Sequence, residues 1–234
     1  MEHTISAYEH ELRDLAGRIA RMGGFAEHLV NDSITALTRL DVNLAHRVIA
    51  DDARLDTLQR EAEELAILII ARRQPMASDL REIVAAMRIS SDLERVGDLA
   101  KNIAKRVIAI NGAVVQKRLI VGVEHLAEIA LEQLKDVLDS FTNRDDSKAA
   151  AVRQRDEEID ALYTSLFREL LTYMMEDPRN ISQCTHLLFC AKNIERIGDH
   201  ATNIAETVHY SVTGHAFELE RPKSDSTSLE SIQP

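Results

Sequence analysis

The chain has 234 residues and a formal net charge of −11, with 45% hydrophobic residues, 4% aromatic residues and no Trp. With only 8 Gly and 4 Pro, it lacks the turn residues that sandwiches and barrels need about every ten positions. The acidic balance excludes the basic footprint required by nucleic acid or an anionic membrane surface.

The remaining stock of Ala, Leu, Ile, Glu, Arg and Asp favours long helices, and the fold class it predicts is all-α. In chain order, the apolar periodicity places a first helix over 5–39, with Gly23-Gly24 as a point where it could bend. Asp41 is a candidate N-cap for a second helix over 42–73, which ends at Gln74-Pro75-Met76-Ala77. Ser78 would cap a third helix over 79–110. A fourth runs over 119–143, and Asp145 or Asp146 would cap a fifth over 147–175. Asp177-Pro178-Arg179-Asn180 then breaks the chain before a sixth helix over 181–212. A helix of 30 residues is about 45 Å long. Such helices joined by short turns fold back antiparallel, which predicts two three-helix bundles, 1–112 and 113–216, and a polar, disordered tail over 217–234.

No window reaches the roughly 18 unbroken apolar residues of a membrane span. Met1-Glu2-His3-Thr4 has no basic-then-apolar leader. Cys184 and Cys190 lie on different sides of one helix, so an intrahelical bridge is excluded and a reduced, cytoplasmic chain is expected.

The two halves repeat. Residues 93–104, Leu-Glu-Arg-Val-Gly-Asp-Leu-Ala-Lys-Asn-Ile-Ala, match residues 194–205, Ile-Glu-Arg-Ile-Gly-Asp-His-Ala-Thr-Asn-Ile-Ala. Eight of the twelve positions are identical and two more exchange one aliphatic residue for another, at an offset of 101. Upstream, Asp52-Ala53-Arg54-Leu55-Asp56 pairs with Asp156-Glu157-Glu158-Ile159-Asp160 at an offset of 104. The three-residue difference falls in the loop before the third helix of each unit. Preserved order and spacing mark an internal duplication.

Ile89, Leu93, Val96, Ala100, Ile103, Val107 and Ile110 form one apolar stripe, and Cys190, Ile194, Ile197, Ala201, Ile204 and Val208 form its counterpart. At 100° per residue, Glu94, Asp98 and Asn102, like Glu195, Asp199 and Asn203, fall on nearly the opposite side, which predicts an outward direction for them. In the second helix, Asp52 and Asp56 lie beside the stripe. Gly97 and Gly198 interrupt the helices between the carboxylates, where Gly costs about 1 kcal/mol relative to Ala. A cost taken twice at one place implies a close approach to the backbone there.

Carboxylates stacked at i, i+4 repel unless a cation joins them. Two such pairs offer hard oxygen donors suited to Mg²⁺, Mn²⁺, Ca²⁺ or iron, with Zn²⁺ as a further candidate. The alternative is a solvated acidic face, with Arg95 and Arg196 neutralising it through weak surface pairs. Glu206-Thr207-Val208-His209 has the Glu-x-x-His spacing of di-iron bundles, but those require two copies. No Walker, dinucleotide, G-x-S-x-G or Cys/His zinc pattern is present. The chain carries no catalytic constellation, which predicts a non-enzyme.

The paired Glu94-Arg95-Val96-Gly97-Asp98 and Glu195-Arg196-Ile197-Gly198-Asp199 segments resemble the duplicated signature of the PhoU family, regulators of bacterial phosphate uptake. Met22-Gly23-Gly24, Ala71-Arg72-Arg73-Gln74-Pro75 with Ala77-Ser78-Asp79-Leu80-Arg81, and 171–177 agree as well, so the similarity spans roughly 5–215. The resemblance implies a cytoplasmic six-helix protein of two three-helix repeats, assembled as a homodimer. It further implies negative regulation of the phosphate regulon by coupling the phosphate ABC transporter, through its ATPase subunit, to a sensor histidine kinase. Some family members carry iron or zinc clusters on surface E/D-x-x-x-D motifs. That role carries over to Glu94, Asp98, Glu195 and Asp199, with Asp52, Asp56, Asp156 and Asp160 from the preceding helices.

Two competing functions follow from the residues alone. A metal-storage or di-iron redox protein requires buried ligands, and the outward direction expected of the carboxylates speaks against it. A plain helical scaffold would leave its acidic faces merely solvated. Phosphate itself is not expected to bind such a face without a mediating metal.

Overall fold

The computed structural model describes residues 2–110 and 117–218. The expected boundary at 112/113 and the tail from 219 onward lie outside these residues. Helix α1 runs Glu2–Arg39, α2 Val42–Arg73, α3 Ala77–Ile110, α4 Lys117–Asn143, α5 Asp146–Gln154, α6 Asp156–Glu176 and α7 Ile181–Thr213, with a single 3-10 turn at Pro178–Asn180. The all-α architecture and the long helices agree with the sequence.

The turn between the first two helices of each repeat is duplicated down to its backbone. Leu40 and Arg144 both adopt left-handed conformations, with φ of 52° and 54°. The amide of Asp41 then donates to the Ala36 carbonyl and that of Asp145 to the Ser140 carbonyl, each at 2.9 Å. Both aspartates cap the following helix, accepting from the Leu44 and Lys148 amides at 3.0 Å. Asp146 does not share this capping role; it pairs with His209 instead.

Two local expectations need correction. Ser78 does not cap the third helix, which begins one residue earlier at Ala77; its hydroxyl bonds Asp79. The fifth predicted helix is divided at Arg155 into α5 and α6. There the buried side chain of Gln133 donates to the Arg155 carbonyl at 2.8 Å, while Glu132, Asp136 and Glu158 draw the guanidinium outward. The same carbonyl also accepts from the Glu158 amide at 3.1 Å, and a side chain that inserts into the ladder is a usual cause of a kink. Helix α1 continues through Gly23-Gly24; Gly23 admits the Leu138 side chain from α4, and Gly24 meets nothing within 4 Å.

Helices α3 and α7 form the centre. They run antiparallel, as two cross-links show: His200 Nδ1 lies 2.9 Å from Asp92 Oδ1, and the Arg106 guanidinium sits 4.2 Å from the centroid of the Phe189 ring. Both predicted stripes are buried over their whole length. The buried apolar core is continuous across the two repeats. Helix α1 packs on α2, α3 and α4, while α4 packs on α5, α6 and α7.

Candidate functional site

Because α3 and α7 are central, neighbouring helices cover them on more than one side. The side opposite the apolar stripe is only partly covered: Arg95 and Arg196 are exposed, and Asp98 and Asp199 are half-buried. Gly97 and Gly198 are buried on the flank between the stripe and the carboxylates, each under a branched residue of the preceding helix. A Cβ on Gly97 would collide with Leu55, and one on Gly198 would lie 2.6 Å from Ile159 Cδ1. The close approach inferred from the two glycines is therefore made by this protein's own duplicated Leu55/Ile159 position.

Of the carboxylates expected to point outward, Glu195 is buried and so departs from that expectation, while Glu94, Asp98 and Asp199 are half-buried. From the preceding helices, Asp52, Asp156 and Asp160 are buried and Asp56 is half-buried. They lie along two seams, one between α2 and α3 and one between α6 and α7. The objection to buried ligands accordingly falls for four of the eight.

In the first seam the Lys101 ammonium bridges the helices. It lies 2.5 Å from Asp52 Oδ2 and 2.8 Å from Asp98 Oδ1. Burial pushes the Asp52 carboxyl up, and the hydrogen bond from Lys101 opposes it. Burial works against the charge of Lys101 too, yet the bonds to both carboxylates hold its pKa above the ordinary lysine range. Burial, and then the charge of Asp98, raises Glu94. The exposed Arg95 lies only loosely beside the pair, 3.6 Å from Glu94 and 4.0 Å from Asp98.

In the second seam the residue at the Lys101 position is Thr202, whose hydroxyl donates to Asp156 Oδ1 at 3.1 Å. The seam's ammonium comes instead from Lys192, 2.8 Å from Glu195 Oε1 and 4.9 Å from the centre of the Tyr163 ring. Glu195 Oε2 is buried without a hydrogen-bond partner. Burial raises the Glu195 pKa to about 7; Lys192 opposes this, and the charges of Asp199 and Asp160 add to it.

Among the described residues, no three Asp, Glu, His or Cys side chains are already gathered into a metal cage; ammonium and hydroxyl groups hold the carboxylates. The Glu206-x-x-His209 pair is engaged elsewhere. Glu206 binds Arg153 at 3.1 Å, and His209 binds Asp146 at 2.5 Å and stacks on Phe217. Sequence reasoning missed Lys101 and Thr202. The signal was present, since they are among the few unlike positions within the duplicated segment.

Also duplicated are exposed apolar residues near both interhelical turns. Ile67, Leu68, Met76 and Leu80 surround the α2–α3 turn, and Leu171, Met175 and Ile181 surround the turn before α7. No helix among the described residues is long and apolar enough to cross a membrane.

Fold and seams together define a class: all-helical proteins built by duplicating a three-helix repeat, with an acidic seam beside a helix-embedded glycine in each copy. The PhoU domain model matches residues 19–107 and 123–208, and the chain belongs to the PhoU family. It is 63% identical over 226 residues to the phosphate-specific transport system accessory protein PhoU homolog of Rhizobium meliloti (strain 1021), covering 97% of this chain and 95% of that protein. The homolog from Caulobacter vibrioides (strain NA1000 / CB15N) is 53% identical, covering 97% and 99%. The crystal structure of PhoU from Pseudomonas aeruginosa superposes with a TM-score of 0.86 at 40% identity, covering 89% of this chain and 100% of that one. The phosphate transport system regulatory protein PhoU from Streptococcus pneumoniae gives 0.84 at 29% identity, covering 91% and 100%.

Proposed function

We propose that this chain is a non-enzymatic accessory protein of phosphate transport that restrains the phosphate regulon when phosphate is plentiful. It does so by coupling the ATPase subunit of the phosphate ABC transporter to a phosphate-sensing histidine kinase in the cytoplasm. The observation that carries this reading is family membership along nearly the full chain, among relatives named as phosphate transport accessory proteins. The exposed apolar residues near both interhelical turns suit a protein that works by docking to partners, one of which is a second copy of itself.

Metal binding belongs to the same proposal. Each seam carries four carboxylates along its length, not drawn together into a three-ligand group among the described residues, and the second holds a buried carboxylate oxygen without a hydrogen-bond partner. This donor set fits hard divalent or iron ions. Asp52, Asp56, Glu94 and Asp98 would hold an ion in the first seam, and Asp156, Asp160, Glu195 and Asp199 in the second. A bound ion supplies positive charge that joins two helices and fixes their relative position. Leu55 and Ile159 keep the helices in register beside it.

Deletion of the gene tests the regulatory reading. Phosphate-regulated genes are expected to switch on in high phosphate, and continued silence would contradict it. Co-purification of the transporter ATPase and the kinase with the tagged chain tests the partners.

A further inference from the structure

The Glu206-Thr207-Val208-His209 segment, which the carboxylate seams leave unused, anchors the stretch that follows α7. Helix α7 stops at Gly214, whose left-handed backbone, with φ of 80°, turns the chain back toward α5 and α7. The His215 amide then donates to Thr213 Oγ1 at 3.1 Å. This turn lays the Phe217 ring flat on His209, with centroids 3.8 Å apart and planes 13° from parallel. The Arg153 guanidinium lies 4.7 Å from the centre of the same ring.

Both partners of Phe217 lead to α5, at opposite ends of it. His209 Nδ1 lies 2.5 Å from Asp146 Oδ1, on the first residue of that helix. Arg153, next to the last residue, is buried and anchored by Glu206 at 3.1 Å. One aromatic ring thus clips both ends of a nine-residue helix. Beyond this clip, α5 is held by two buried apolar side chains, Ala149 and Val152, and by Lys148, which pairs with Asp136 and Asp139 of α4 at 3.0 Å. Short elements with few buried apolar contacts open most readily. The helix ends at the break before α6, a place where an element-terminal residue can absorb a change of direction. A groove of about 680 Å³ lies beside Phe217, walled by α5 and α7, so the ring can leave without disturbing the core.

The first repeat has no equivalent. The positions corresponding to Asp146, Arg153, Glu206 and His209 hold Val42, Ile49, Lys105 and Ile108. Helix α2 also runs unbroken through the region that α5 and α6 divide.

We propose that residues 214–218 are a strap that locks α5 onto α7 through Phe217. Release of the ring frees α5 to move about Arg155, which makes the second repeat the switchable half of the duplication. The device does not depend on metal in either seam.

The test is hydrogen exchange of the full-length chain, read by mass spectrometry on peptides from α5 and from the start of α2. Phe217→Ala removes the stack and the cation contact together. It is expected to speed exchange of the α5 amides about tenfold and to leave the start of α2 unchanged. Phe217→Leu keeps an apolar side chain without an aromatic face and is expected to act like Phe217→Ala, whereas Phe217→Trp should retain the native protection. The His209 ring resonances are expected to move in Phe217→Leu, which reports loss of the stack directly. Circular dichroism checks that each variant keeps its helical content. Unchanged α5 exchange in Phe217→Ala would overturn the strap, as would exchange that rises equally in α2. Native protection in Phe217→Leu would overturn the aromatic clip.

Discussion

The side chain of Leu55 occupies the volume that a Cβ on Gly97 would fill. Its duplicate, Ile159 against Gly198, repeats the arrangement with the neighbouring carbon 2.6 Å from the would-be Cβ. These contacts let the second and third helices of each repeat approach closely enough for carboxylates from both to share one seam. Gly97→Ala and Gly198→Ala should therefore each destabilise the protein by about 1–2 kcal/mol, the overpacking cost less the gain in helix propensity. Gly24→Ala, where nothing lies within 4 Å, should stabilise it by up to about 1 kcal/mol. Urea unfolding of the three variants reads the contrast, and equal effects would remove the packing explanation.

Lys101 neutralises a buried carboxylate. Lys101→Met leaves Asp52 charged, 4% exposed and short of its partner, at an expected cost of about 2–3 kcal/mol in metal-free protein, where breaking a fully buried pair costs somewhat more. The double variant Asp52→Asn/Lys101→Met removes both charges and should recover most of the loss. A single Lys101 variant as stable as the native chain would show that the bridge has no structural weight.

Glu195 makes metal-free stability depend on pH. Its pKa is raised to about 7 in the fold, against an ordinary glutamate value near 4.3 in the unfolded chain. The folded state thus holds a proton that the unfolded state has released, so its contribution to stability is full below the unfolded pKa and falls as pH rises toward 7. The loss is about 3 kcal/mol between pH 4 and pH 8. Glu195→Gln should flatten that part of the profile and stabilise the metal-free protein at pH 8. Chemical unfolding across the range checks it; matching native and variant profiles would contradict the assignment.

The capping aspartates of the duplicated turn should behave alike. Asp41→Ala and Asp145→Ala each leave one helix-start amide without its side-chain acceptor, at a cost of about 1 kcal/mol. Asp146→Ala should act differently, by freeing His209 rather than by uncapping a helix. Thermal melts distinguish the cap losses, and the chemical shifts of the His209 ring in NMR report the other.

Helix order and duplication were legible because long apolar periods and the repeated 12-residue segment agree with each other. Gly97 and Gly198 correctly signalled a close approach, although the sequence could not say by what. The burial of Glu195, and the partial burial of Glu94, Asp98 and Asp199, were not legible for a physical reason. A single apolar stripe implies one buried side, whereas a central helix is covered on several sides, and α2 or α6 covers the flank of the side that periodicity assigns to water. The break at Arg155 was illegible too, because it depends on Gln133 reaching across from another helix. Lys101 and Thr202 were in plain view but gain meaning only once Asp52 and Asp156 are placed opposite them.

The most direct test of the account is metal content, measured by mass spectrometry on protein purified without chelators or affinity-column metals. The native chain is compared with a Glu94→Ala, Asp98→Ala, Glu195→Ala, Asp199→Ala variant. The account predicts near-stoichiometric metal in the native chain that disappears in the variant. Metal absent from both, or retained undiminished by the variant, would contradict the claim that the duplicated seams are ion sites.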